Sequence, residues 1–154
     1  MEGAQIVERL RSAHAKFFTS VSEFRGETTV VVDRAGIEQV CRFLRDEPDL
    51  RFDMLCDLTA VDRYPAEPRF EMVYWLTSVP HSHRLRLKVR VPSSDATMPT
   101  VTGIWKGANF PEREVFDMFG IRFAGHPDLR RILLPEGFEG HPLRKDFPLK
   151  GYFR

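Results

Sequence analysis

"RFEMVYWLTSVPHSHRLRLKVRV", Arg69 to Val91, decides the fold class. Its second half alternates without a break, with Leu85, Leu87, Val89 and Val91 on one side and Arg84, Arg86, Lys88 and Arg90 on the other. Alternate side chains of an extended chain point to opposite faces, so this is a strand with one buried and one basic face. The first half alternates less cleanly and is apolar on both sides for part of its length. "SVPHSH" between the halves is far too short for a crossover helix, so the two strands are antiparallel.

Upstream, "LRFDMLCDLTAVD" (Leu50 to Asp62) places Leu50, Phe52, Met54, Cys56 and Leu58 on one face by the same alternation, and the proline-bearing "RYPAEP" that follows suits a loop. "GETTVVVD" (Gly26 to Asp33) is a β-branched run and reads as a strand. Two helical patterns flank it. Ile6, Leu10, Ala13 and Phe17 recur at helical spacing from about Ala4 to Thr19, and Ile37, Val40, Cys41 and Leu44 do so from roughly Arg34 to Asp46, with Pro48 marking the end. Two helices and about four strands give an α+β fold over residues 1–98, with a mostly antiparallel sheet and the helices packed on one face. The basic stripe of the other face is either simply solvated or turned toward an acidic partner.

Composition narrows the function classes. The 154 residues are 42% hydrophobic and 29% charged, with a formal net charge of +1, which gives no basic field for nucleic acid. No apolar run approaches the roughly 18–20 residues of a membrane span. "MEGAQIVERL" has an acid at position 2 and no apolar core, so a secretory signal is not expected. Cys41 and Cys56 sit in apolar patterns and read as structural thiols, with no Cys-x-x-Cys or cluster suited to an iron–sulfur centre.

After residue 98 the character changes. Residues 101–154 hold seven of the ten glycines, five of the eleven prolines and nine of the eighteen aromatics. Glycine and proline punctuate the segment too often for a persistent strand pattern, yet disordered tails are poor in aromatics. Residues 99–154 therefore read as an extended docking arm that lies on another protein, or else wraps around its own domain. Within it, "PEREVFDMFGIRF" (Pro111 to Phe123) predicts a short acidic and aromatic helix over 110–119, capped by Asn109 and Glu112 in a capping box and ended by Gly120. Glu114 and Asp117, three apart, share a face. Neither a nucleophile motif nor a phosphate loop accompanies this pair, so no catalytic residue is assigned. Asp117, His126, Asp128 and His141 do not match zinc-ligand spacing, and both histidines occur as Gly-His-Pro turns, so no metal or cofactor site is assigned either. Gly-His-Pro followed by Leu and Arg occurs twice, at Gly125 to Arg130 and Gly140 to Arg144. Proline stiffens such an arm, so it orders on a partner at modest entropic cost.

"EREVFDMFGIRFAGHPDLRRIL" (Glu112 to Leu133) resembles the signature of the 30 kDa subunit family of respiratory complex I, the C subunit of bacterial NADH–quinone oxidoreductase, and "GHPLRKDFPLKG" (Gly140 to Gly151) resembles that family's second segment. Phe138 stands where many relatives have tryptophan, which keeps an aromatic anchor. The resemblance implies a cofactor-free subunit of the peripheral arm, on the cytoplasmic side of the inner membrane, with FMN and iron–sulfur clusters in other subunits. It implies contact with the 49 kDa-type large subunit that forms much of the quinone cavity, the subunit that holds the terminal iron–sulfur cluster, and other peripheral-arm subunits. Relatives also occur in membrane-bound hydrogenases and ferredoxin-fed complexes, which leaves the electron donor open. The expected partner-facing residues are Glu112, Arg113, Glu114, Phe116, Asp117, Phe119, His126, Arg130, Arg131, Phe138, His141, Arg144, Lys145 and Phe147.

Overall fold

A computed structural model describes residues 2–152. Helix α1 (Gly3–His14) leads into strands β1 (Phe18–Phe24) and β2 (Glu27–Val32), followed by helix α2 (Ile37–Asp46). Strands β3 (Met54–Asp62), β4 (Phe70–Ser78) and β5 (His83–Val91) come next, then the short β6 (Thr97–Pro99), helix α3 (Asn109–Phe119) and β7 (Arg122–Ala124). The first five strands form one sheet in the order β1-β2-β5-β4-β3. Only the central β2–β5 pairing is parallel.

The alternation of β5 appears as expected: Leu85, Leu87, Val89 and Val91 are buried on the face covered by helices. They pair across β4 with Leu76, Tyr74, Met72 and Phe70, which point the same way. Ile37, Val40, Cys41 and Leu44 of α2 and Ile6, Val7 and Leu10 of α1 fill this face. Each such burial removes enough apolar surface to stabilise the fold by roughly 1.5–3 kcal/mol before the entropic cost of ordering the chain. The opposite face is not a bare basic stripe. Glu71 is buried between Arg63 at 3.0 Å and Lys88 at 3.2 Å, and Arg86 pairs with Glu27 at 2.5 Å. Burial pushes the Glu71 carboxyl up, but the two cations outweigh it and hold it below the usual range.

Three local readings are corrected. The first helix stops at His14, Ala13 is exposed, and Phe18–Phe24 form an edge strand that hairpins onto β2 through Arg25 and Gly26, both at positive φ. In β3, Cys56 is an extra residue in the ladder with β4, between Leu55 opposite Leu76 and Asp57 opposite Trp75. This bulge flips the alternation, so Leu58 and Ala60 face the core while Met54 and Cys56 are exposed. Finally, packing does not end at residue 98. Val101, Ile104, Trp105, Val115, Met118, Phe119, Ile121 and Phe123 belong to the same core, and the Trp105 indole N–H donates to the Phe52 carbonyl at 3.0 Å. β6 and β7 pair in parallel, so α3 is the crossover of a small β–α–β unit closed on the sheet domain. Among the described residues, no helix or strand follows Ala124.

Candidate assembly interface

The site is built around α3, whose C-terminal end is set by Gly120 in the left-handed region at φ 76°. The predicted capping box is absent. The helix continues from a tight turn at Lys106–Ala108, and Asn109 lies inside it with no capping bond. Glu112 instead turns back to the preceding loop. It is fully buried and accepts from the Val101 N–H at 2.8 Å and from the Thr100 hydroxyl at 2.5 Å. Burial without a bonded cation pushes its carboxyl up to about 7, even though these two bonds favour the charged form.

Glu114 and Asp117 do not act together, because Glu114 is exposed and Asp117 is fully buried. Asp117 is clasped by the chain after β7. Its Oδ2 accepts from the N–H groups of Ile132, Leu133 and Leu134 at 3.2, 2.8 and 2.9 Å, and its Oδ1 accepts from Arg131 at 2.7 Å. Burial raises the Asp117 carboxyl; these donors more than offset it and hold it below the usual carboxylate range. Arg131 reaches on to the carbonyls of Phe138 and Gly140 at 2.8 and 3.0 Å. Arg113, also buried, donates to the Arg130 and Arg131 carbonyls, both at 3.0 Å.

The two Gly-His-Pro turns bind opposite ends of this helix. His126 contacts the Asn109 carbonyl at 3.1 Å, and His141 donates through Nδ1 to the Asp117 carbonyl at 3.0 Å. Burial pushes the His141 ring below its usual pKa. Arg144 donates to the Phe119 carbonyl at 2.6 Å, and the Leu143 N–H donates to the Met118 carbonyl at 3.1 Å. Carbonyls at a helix C-terminus lack intrahelical partners and carry partial negative charge, so arginine and histidine are suited to this end. Among the described residues, no three histidine, cysteine, aspartate or glutamate side chains come together as a metal site.

The remaining predicted residues fall into two groups. Phe119 is buried with its ring edge toward Phe70 at 6.5 Å, Phe138 and Phe147 stack at 6.4 Å, and Phe116 packs on the core beneath the Arg122 guanidinium. Arg130 is exposed and paired with Asp128, and the Lys145 side chain is exposed while its N–H donates to Asp62 at 2.8 Å. This last bond reveals a centre that the sequence reading missed. Asp62 ends β3 and takes both prongs of the Arg69 guanidinium at 2.9 Å, while Arg69 also holds Asp146 at 2.7 Å. Burial pushes Asp62 up, but Arg69 and the Lys145 and Tyr64 N–H groups outweigh it and hold the carboxyl at about 2. Opposite charges flanking a proline-bearing loop were visible in sequence; a contact with a residue 83 positions away was not.

His126, Arg131, His141 and Arg144 thus converge on α3, and Asp146 and the Lys145 N–H on the Asp62–Arg69 pair. Ile132, Leu133 (61% exposed), Leu143 (53%) and Leu149 (101%) turn outward, while Leu129 and Leu134 pack on the core. Fold and site together define a small α+β domain carrying a C-terminal segment stapled to its own last helix. No helix among the described residues is long and apolar enough to cross a membrane.

The chain belongs to the respiratory-chain NADH dehydrogenase 30 Kd subunit family, whose model matches residues 30–153. It is 52% identical over 149 residues to the C subunit of the NADH-quinone oxidoreductase from Roseiflexus sp. (strain RS-1), covering 97% of this chain and 86% of that protein. Identity to the corresponding C subunit from Geobacter sulfurreducens is 47% over 151 residues, covering 97% and 92% of the two chains. Among solved structures, the trypsin-resistant fragment 1–134 of Nqo5 superposes with a TM-score of 0.70 at 34% identity, covering 84% of this chain and all of that one. A chain of the archaeal membrane-bound sulfane sulfur reductase, a respiratory membrane complex, superposes with a TM-score of 0.79 at 28% identity, covering 96% and 86%.

Proposed function

We propose that this protein is a non-catalytic peripheral-arm subunit of a proton-translocating NADH–quinone oxidoreductase, supporting assembly and positioning of the quinone-binding module. The carrying observation is the division of the C-terminal segment. Arg131, His141 and Arg144 hold it to its own domain, while Leu133, Leu143 and Leu149 are left outward. Exposed apolar side chains on a well-bonded backbone suit a permanent contact between subunits, because the contact then loses little conformational entropy. The subunit relatives at about half identity over nearly the whole chain support this reading.

In this reading the chain holds no cofactor, and electrons pass through FMN and iron–sulfur clusters in other subunits. Its partners are the quinone-cavity large subunit and the subunit with the terminal cluster, and it sits on the cytoplasmic side of the inner membrane without crossing it. A second reading places the chain in a respiratory membrane complex with no NADH-oxidising module, and the high coverage of the archaeal sulfane sulfur reductase chain favours it. Purification of the native chain with its partners, followed by identification of subunits, flavin and clusters, tests both. Recovery of an FMN-containing NADH module together with the quinone-cavity subunit is expected. Recovery with a module lacking flavin and NADH oxidation supports the second reading, and recovery of the chain alone overturns both.

A further inference from the structure

The buried carboxyl of Glu112 stands at the inner end of a chain of hydroxyls that leads outward. Its Oε2 meets the Thr100 hydroxyl at 2.5 Å, and the Thr100 and Thr102 hydroxyl oxygens lie 2.9 Å apart. Thr102 is half-buried and, with Thr100, lines a groove between α2 and the loop after β6, beside Glu38, Arg42, Gly103 and Lys106. The backbone holds this chain in place. The Thr100 N–H donates to the Ala124 carbonyl at 2.9 Å, the Val101 N–H to Glu112 Oε1 at 2.8 Å, and the Thr102 N–H to the Thr100 hydroxyl oxygen at 3.2 Å. A hydroxyl donates one hydrogen bond and accepts two. With the carboxyl ionised, Thr102 donates to Thr100 and Thr100 donates to Glu112. With the carboxyl protonated, Glu112 donates to Thr100 and Thr100 donates to Thr102. In both directions the Thr100 hydroxyl gives one bond and accepts two, counting the Thr102 N–H, so reversing the chain loses no bond.

The surroundings make a proton the natural counter-charge. From α2 the carboxyl meets the buried Cys41 thiol, and from β4 the buried Tyr74, whose hydroxyl makes no hydrogen bond among the described residues. Asp62, the charged group that β3 buries, is already bound by Arg69, and Arg113 and Asp117 of the same helix are engaged by the chain after β7. His126 is the one basic group near at hand, with Nε2 at 3.9 Å, but its ring already bonds the Asn109 carbonyl and the Asp128 N–H. Protonating Nδ1 would lose the bond from that N–H. An unpaired buried carboxylate is costly, so the group takes a proton instead. We propose that Glu112 is a buried proton-binding site, loaded and emptied from the groove through the hydroxyls of Thr102 and Thr100. Loading takes one proton from water at Thr102, passes one from Thr102 to Thr100 and one from Thr100 to Glu112. Both hydroxyls end neutral and no electrons change hands. Burial pushes the carboxyl up to about 7, which sets the exchange in the neutral range. The site is built from this chain alone and needs no partner subunit.

The test is time-resolved infrared spectroscopy of the full chain after a rapid drop in pH across neutrality, following the band of a protonated, buried carboxyl. The band is expected to grow in as pH falls and to be missing in Glu112→Gln. Should that variant fail to fold, isotopically labelled glutamate marks the same band by its shift. Thr102→Val keeps the side-chain size and the Thr100–Glu112 bond but removes the outer hydroxyl. It is expected to keep the midpoint near neutrality and to slow the growth of the band by about tenfold or more. Thr102→Ser keeps the hydroxyl and is expected to load at the wild-type rate. If no glutamate carboxyl titrates in the neutral range, or if the band persists in Glu112→Gln, the site is overturned. If Thr102→Val loads as fast as wild type, or Thr102→Ser is slowed as much as Thr102→Val, the hydroxyl path is overturned.

Discussion

Replacing Glu112 by glutamine isolates the energetic cost of a buried acid. The carboxyl lies fully inside the protein between α3 and the 100–101 loop, with His126 Nε2 at 3.9 Å and no bonded cation. Nδ1 of that histidine accepts from the Asp128 N–H at 3.0 Å, which leaves the ring proton on Nε2, toward the Asn109 carbonyl. Cys41 and Tyr74 nearby are both pushed up, toward their neutral forms, chiefly by burial. Folding raises Glu112 from 4.5 to about 7, so the folded state binds the proton more tightly than the unfolded chain. At roughly 1.36 kcal/mol per unit, the associated stability, about 3 kcal/mol, is fully present below pH 4.5 and lost as pH rises through about 7. Glutamine can accept from the Val101 N–H and donate to Thr100 without titrating. Urea denaturation from pH 5 to 8 is therefore expected to show similar stabilities at the acid end and Glu112→Gln ahead by about 2–3 kcal/mol at pH 8. Parallel pH profiles for the two proteins would refute the reasoning.

Three further outcomes follow from the same contacts. Arg69→Met leaves Asp62 buried without its guanidinium and frees Asp146, so stability at pH 7 should fall by about 3–5 kcal/mol in urea denaturation. Gly120→Ala forces a side chain at φ 76° and places a Cβ 2.6 Å from an Arg144 nitrogen and 2.7 Å from the His141 ring, so a loss of at least about 1 kcal/mol and altered His141 resonances in NMR are expected. Glu114→Gln changes an exposed side chain and should shift stability by less than about 0.5 kcal/mol in thermal denaturation.

The central strands were legible because β5 obeys a strict two-residue period and its connection to β4 is short, which fixes both burial and direction. The α2 stripe was legible for the same kind of reason. β1 was not, because six of its seven residues are exposed and an edge strand without a buried face shows no alternation. A one-residue bulge at Cys56 misled the reading of β3, since a single insertion reverses every side chain before it. In the candidate site, the dense charges of α3 drew attention to that helix but did not show the direction in which they point. Glu112, Arg113 and Asp117 bond to the chain's own loops, and the partners that decide this lie 11 to 18 residues away in segments without periodicity. The Gly-His-Pro repeat was visible as a motif. That its two copies grip opposite ends of one helix became evident only in three dimensions.

Amide hydrogen exchange on the isolated full chain at neutral pH tests the central claim most directly, namely that the segment after β7 is folded on its own domain before any partner arrives. The N–H groups of Ile132, Leu133 and Leu134 on Asp117, Leu143 on Met118 and Lys145 on Asp62 are predicted to exchange at least about tenfold more slowly than unstructured amides. Free exchange at all five in the isolated chain, with protection arising only once the partner subunit is bound, would contradict it.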